Sequence, residues 1–185
     1  MAGSTGPNIA TDGLVLSLDA ANKKSYAGHG TAWNDLSGNA NTGTLTNGPE
    51  FLTSASNTVS NIGCFSFDGS NDLVECSAIS STNFTNSLWM RVDAKNINGI
   101  ISWTVGTVRR ELLFILGDIS IAYGSNKYKR GPVLSNGVWM NVAATYDGTT
   151  PLIYVNGVSQ TLGSETATAA GAANKCYIGR TAYST

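Results

Sequence analysis

The first residues to test for covalent or acid–base chemistry are the four glutamates (Glu50, Glu75, Glu111 and Glu165), the one histidine (His29) and the three cysteines (Cys64, Cys76 and Cys176). A retaining glycosidase needs two carboxyls about 5–5.5 Å apart. On one strand that means acids at i and i+2 or i+4, and none of the four glutamates has such a partner. A cross-strand pair stays open at this level. His29 sits in Gly28-His29-Gly30, a flexible loop, and any Ser-His-Asp constellation would have to use it. The cysteines with one histidine lack zinc-ligand spacing, and no phosphate loop or dinucleotide fingerprint occurs. No catalytic residue is assigned, and the expectation is a protein that is not an enzyme.

Binding chemistry is better represented. Asp68, Asn71 and Asp72 cluster in one turn, where hard oxygen ligands can hold calcium. Asp-Gly and Asn-Asp are equally ordinary turn chemistry, which is the expectation here; no metal ligand and no cofactor is assigned, with calcium as the one alternative. Sugar recognition uses aromatic faces beside amides and hydroxyls. Trp103, Tyr123 and Tyr128 lie near expected loops or strand ends, and Asn126, Lys127 and Arg130 are polar neighbours of Tyr128. Trp103, Tyr123, Asn126 and Tyr128 are therefore the candidate carbohydrate-binding residues. The opposing reading puts Trp103 and Tyr123 in the core and makes Lys127–Arg130 a solvated tip. Arg109-Arg110 reads as an exposed strand start.

Composition sets the frame. The 185 residues suffice for one domain with a sizeable core. Only 12% are charged, against roughly 25% in an average soluble protein. Ser, Thr, Asn and Gly must supply the polar surface, as suits turn-rich β structure. The net charge of −1 gives no long-range attraction to nucleic acid or to an anionic membrane. No window approaches the roughly 20 apolar residues of a membrane span. Met1–Asp12 has neither the basic segment nor the apolar run of a secretory signal, and reads as a flexible arm ahead of a single domain over residues 13–185.

The elements that must position these residues are short strands. Val138–Tyr146 alternates, with Met140, Val142, Ala144 and Tyr146 on one face and Trp139, Asn141, Ala143 and Thr145 on the other. Asp147–Pro151 turns the chain into Leu152–Val155, and Asn156-Gly157 is a type I′ signal. Gly13–Ala20 reads as a strand with Leu14, Leu16 and Leu18 on one face. Gly63–Ser77 reads as a hairpin turning near Gly69. In the register that puts Phe65, Phe67, Val74 and Cys76 inside, Cys64 and Cys76 do not bridge; in the alternative they face each other. With an odd number of cysteines, at least one is free or pairs between chains. Phe84–Ala94 follows with Leu88, Met90 and Val92 on one face, then a turn at Asn98-Gly99. Further strands are expected at Ile100–Thr104, Glu111–Leu116, Ile119–Tyr123 and Cys176–Gly179. Lys127–Arg130 reads as a basic loop tip, and Thr161–Ala173 as a loop. About ten short strands without a convincing amphipathic helix argue for an all-β antiparallel sandwich or barrel.

Four motifs in order carry a resemblance. They are Leu14–Asp19 with Trp33-Asn34-Asp35-Leu36-Ser37-Gly38-Asn39 and Gly43–Pro49; Phe67-Asp68-Gly69; Trp139, Val142-Ala143 and Tyr146-Asp147-Gly148; and Tyr154-Val155-Asn156-Gly157. Together the chain resembles laminin-G-like domains of the concanavalin A-like lectin/glucanase superfamily, of the kind found in tailed-phage virion and bacterial surface proteins. The resemblance implies a jelly-roll sandwich in which Trp33 and Leu36 pin the long loop. The Glu-x-Asp-x-x-Glu pattern of the glucanase branch does not occur. Family members continue past the Tyr177–Arg180 motif into a strand pairing near the N-terminal one. The resemblance therefore implies an open edge at Leu14, Leu16 and Leu18, completed by another chain. The expected function is a non-enzymatic recognition module, displayed on a virion surface or a bacterial cell surface, that contacts host carbohydrate. The alternative is a virion cement subunit binding other structural chains in an assembly. A hydrolase ranks third.

Overall fold

Alternation at Val138–Tyr146 leaves one apolar face to bury, and the computed structural model shows where it goes. It describes residues 11–53, 63–93, 99–106, 108–115, 117–124, 127–164 and 175–180. Among them there are fourteen strands and no helix. They are β1 (Ala32–Trp33), β2 (Gly43–Thr46), β3 (Glu50–Leu52), β4 (Cys64–Ser66), β5 (Leu73–Cys76), β6 (Phe84–Arg91) and β7 (Gly99–Val105). There follow β8 (Val108–Ile115), β9 (Asp118–Gly124), β10 (Lys127–Val133), β11 (Trp139–Tyr146), β12 (Pro151–Val155), β13 (Val158–Ser159) and β14 (Cys176–Ile178). An eight-stranded sheet runs β1-β2-β5-β14-β7-β8-β9-β10, and a four-stranded sheet runs β13-β12-β11-β6. All pairs are antiparallel, and β3 pairs with β4 alone. The all-β sandwich expected from the strand pattern is the fold observed.

The expected central hairpin is present. β11 pairs with β12 from Val142↔Val155 to Tyr146↔Pro151. The Asp147 carboxylate accepts from the amides of Thr149 and Thr150 at 2.8 and 2.7 Å, closing the turn. Asn156 and Gly157 both take positive φ, 50° and 78°, as a type I′ turn into β13 requires.

Two clusters fill the interior. Val142, Ala144, Met140 and Ile153 meet Leu112, Phe114, Ile119, Ile121 and Tyr123 between the two large sheets. Tyr26, Leu45, Val74, Cys76, Trp103 and Cys176 form the second cluster. Against it pack Phe51 and Phe65 of the β3–β4 pair, together with Trp33, Leu16 and Leu18. Trp33 anchors its loop as expected, its ring centroid 4.7 Å from that of Phe65. Gly43 in β2 lets this cluster close. A Cβ there would stand 2.6 Å from Val74 Cγ1 and 3.3 Å from Cys76 Sγ. Gly43→Ala is expected to destabilise by about 1–3 kcal/mol through overpacking, read as a lower midpoint in urea with an unchanged slope.

Four expectations are corrected. Leu14, Leu16 and Leu18 form no strand. The segment runs as an extended loop whose backbone is bonded by side chains instead of a neighbouring strand. Ser17 N–H donates to Asp35 Oδ1 at 2.9 Å, and the Asn39 and Asn41 side-chain amides donate to Leu14 and Val15 carbonyls at 2.7 and 2.9 Å. Leu16 and Leu18 are half-buried in the second cluster. Gly63–Ser77 is not a hairpin: β4 pairs with β3, while β5 pairs with β2 and β14. Lys127–Arg130 is no loop tip but the start of β10, an edge strand of the large sheet. Its charged side chains and Pro132 suit an edge. Arg109 and Arg110 are buried, 4% and 6% exposed, not an exposed strand start. The expected turn at Asn98, residues 1–10 of the expected arm and most of the Thr161–Ala173 connection lie outside the described residues.

Asp35 is the hub of the loop over Leu14–Leu18. Its carboxylate accepts from the amides of Ser17, Ser37 and Asn41 and from the Ser37 hydroxyl. Burial pushes its pKa up, but the Ser37 hydroxyl and the three amides outweigh this and hold it below the ordinary 3.8. A carboxylate with a depressed native pKa stabilises the fold above the unfolded-state pKa and loses that contribution as pH falls through the native one. Asp35→Ala is therefore expected to lower the melting temperature by several degrees at pH 7. The gap to the parent protein should start to narrow below about pH 3.8 and close as the pH falls through the lower native pKa, in a pH series of thermal melts. A gap that persists to the lowest pH would refute the charge as its source.

Candidate carbohydrate-binding face

Strand alternation puts Leu88 and Met90 of β6 inward and Thr85, Ser87, Trp89 and Arg91 outward. The result is an open face on the four-stranded sheet, the side away from the core. Trp89 is 68% exposed, and among the described residues it is the one aromatic side chain among the exposed large hydrophobics. It stands directly opposite Asn141, and Arg91 opposite Trp139. Trp89 and Trp139 are thus diagonal neighbours on adjacent strands, about 7–8 Å apart at the backbone. Ser87 faces Ala143, which in turn faces Tyr154 of β12. Thr85 faces Thr145. Asn141 is fixed from both sides: its amide nitrogen lies 3.3 Å from the Leu88 carbonyl and 3.4 Å from Ser87 Oγ, and its backbone N–H donates to Asn156 Oδ1 at 2.9 Å. The face therefore carries the exposed Trp89 indole, the half-buried Trp139 indole and the half-buried Tyr154 phenol on paired strands, interleaved with hydroxyls, an amide and a guanidinium.

The residues singled out from sequence fall elsewhere. Trp103 is 2% exposed, sits edge-on to Phe84 at 5.0 Å and donates its indole N–H to the Ser81 carbonyl. Tyr123 is 4% exposed and packs 5.1 Å from Tyr146. Neither can offer a ring face to a sugar, because each shares strand parity with core residues: Trp103 with Ile101, Tyr123 with Ile119 and Ile121. Asn126 lies outside the described residues. Tyr128 is half-buried on β10, opposite Ala122. It belongs to a row crossing the far face of the large sheet: Glu75, Tyr177, Ser102, Glu111, Ala122 and Tyr128. The middle of that row is closed, with Ser102, Glu111 and Ala122 no more than 1% exposed. Sequence reasoning passed over Trp89, although the inward phase of Leu88, Met90 and Val92 already implied that Trp89 points out.

Carboxylates on the far face do not match glycosidase geometry. Glu75 and Glu111 sit three strand spacings apart in the row, hence about 14 Å, beyond either known spacing. Each is also committed, Glu111 to Arg109 and Glu75 to Lys175. At the Asp68–Asp72 turn the oxygens face the turn's own backbone. Asp68 Oδ1 accepts from the Ser70 and Asn71 amides at 2.8 and 3.3 Å, and Asp72 Oδ2 from the Asp68 amide at 3.0 Å. The Ser70 amide, followed by those of its neighbours, holds the Asp68 carboxyl below its usual value. Among the described residues no three His, Cys, Asp or Glu side chains cluster as a metal site.

A two-sheet antiparallel sandwich with an aromatic and polar outer face defines a protein of lectin-like architecture. The chain belongs to the concanavalin A-like lectin/glucanase superfamily: a laminin G family model of that description matches residues 68–185. Among solved structures, it resembles domain 4 of AbnA, a GH43 extracellular arabinanase from Geobacillus stearothermophilus, in complex with arabinotriose. The TM-score is 0.60 at 18% sequence identity, covering 80% of this chain and 78% of that chain. At that identity the likeness establishes a shared fold. A comparison with curated proteins finds no match.

Proposed function

We propose that this protein is a non-catalytic carbohydrate-binding module whose ligand lies across the outer face of the four-stranded sheet, on Trp89 and Trp139. The observation that carries this reading is the 68% exposure of Trp89 beside Asn141 on the outer face of the four-stranded sheet. The exposed π face of the indole suits the C–H face of a pyranose or furanose ring. Ser87, Thr85, Thr145, Asn141 and Arg91 supply the hydrogen bonds that would orient the sugar. Superfamily membership supports the reading, as does the oligosaccharide bound to the arabinanase domain. The setting we propose is display on a surface, that of a tailed-phage virion or a bacterial cell, as a head, fibre or tail component contacting host glycans.

The test is a glycan array with the folded chain, run with calcium and with a chelator. Specific binding to at least one glycan, lost on Trp89→Ala, is the expected result. Binding should be indifferent to chelator, because Asp68 Oδ1 and Asp72 Oδ2 already accept from backbone amides of the turn. A folded chain that binds no glycan would overturn the proposal and leave the Trp89 face as a docking surface for other structural chains.

A further inference from the structure

Cys76 and Cys176 are register partners, directly opposite each other across β5 and β14. Both are free thiols in this structure, 2% and 0% exposed, and both point into the second core cluster. Directly opposed residues on antiparallel strands have Cα atoms about 4.5–5.5 Å apart. A disulfide needs Cα atoms about 4.4–6.8 Å apart and Cβ atoms about 3.5–4.5 Å apart, so the strands already provide the backbone spacing. The thiols are hydrogen-bonded to one another; that bond pulls the Cys76 pKa below its usual value, while it and burial push that of Cys176 well above. The junction they occupy is also the seam of the large sheet, joining the β1-β2-β5 side to the β14-β7-β8-β9-β10 side.

We propose that Cys76 and Cys176 form a cross-strand disulfide on reaction with a low-molecular-weight disulfide such as oxidised glutathione, locking β14 to β5. The Cys76 thiolate attacks the small disulfide, making a mixed disulfide and releasing one thiol. Cys176, deprotonated, then attacks the Cys76 sulfur and releases the second. The protein loses two hydrogens and the oxidant is reduced to two thiols, so the exchange balances. Both sulfurs are too buried to meet the oxidant in the closed sheet. The reaction therefore proceeds before β14 docks or when this three-residue strand opens. Cys64 is left out: it is half-buried in β4, opposite Leu52 in a different sheet.

The test refolds the full chain in oxidised and reduced glutathione, alkylates it in denaturant and maps its peptides. The expected result is one alkylatable thiol, at Cys64, and a linked pair containing Cys76 and Cys176. A ring of about 100 residues should raise the melting temperature by roughly 10 °C over the reduced protein. Cys64→Ser should keep the whole shift, and Cys176→Ser should abolish its dependence on reductant. Three alkylatable thiols after oxidation, or a link through Cys64, would overturn the proposal. The mapping of the parent protein decides it even where a cysteine variant fails to fold.

Discussion

Trp89→Ala is expected to weaken glycan binding by about 30-fold or more, while moving the melting temperature by no more than a degree or two. The binding estimate follows from the cost of truncating a central aromatic anchor, about 2 kcal/mol or more, with 1.4 kcal/mol per factor of ten. Stability should hold because Trp89 is 68% exposed, and surface substitutions away from special features stay within about 0.5 kcal/mol. Trp103→Ala is the contrasting control. Trp103 is 2% exposed and packed on Phe84, so its loss should cost about 3–5 kcal/mol of folding free energy. Trp89→Phe, which keeps a ring face, should retain part of the affinity. Isothermal titration against a glycan bound by the parent protein separates these outcomes. Undiminished affinity in Trp89→Ala would remove the outer face of the four-stranded sheet as the site.

Glu111→Ala is expected to be the most destabilising single change on the far face of the large sheet. Glu111 and Arg109 lie two residues apart on β8, on the same side, and form an ion pair with side chains 0% and 5% exposed. Breaking a buried ion pair by removing one member costs about 3–5 kcal/mol. For a domain of this size that corresponds to a melting temperature about 10–15 °C lower. The double variant Arg109→Met/Glu111→Leu removes both charges and keeps volume, so it should recover most of the loss. The effect should change little with salt, because buried pairs are poorly screened. A Glu111→Ala protein within 1 kcal/mol of the parent, about the size of an exposed-pair effect, would show that the pair contributes little.

Much of the architecture was legible because strand alternation is local. The hairpin of β11 and β12, its Asp147 turn and the Asn156-Gly157 turn follow from residues within about twenty positions of one another, and they are found as expected. The inward phase of Leu88, Met90 and Val92 was equally plain, and from it the outward direction of Trp89 could have been read. The candidate site was missed because aromatics were weighed by nearness to loops. Parity on the strand buries Trp103 and Tyr123 and exposes Trp89, whatever the distance to a loop.

What a stretch pairs with is a different matter. Leu14, Leu16 and Leu18 alternate like a strand, yet among the described residues no strand pairs with them. Asp35, Asn39 and Asn41, some twenty residues on, take their backbone groups instead. Cys64 and Cys76 flank one turn but belong to different sheets, and Cys76 meets Cys176 across a strand boundary. Arg109 looks like a surface charge until Glu111 and the crowded far face enclose it. By itself the sequence determined the period, the turns of the central hairpin and the sandwich class. Only the tertiary structure decided which strands are neighbours, which polar groups are sealed and which face stays open, because those follow from contacts between segments that no local pattern encodes.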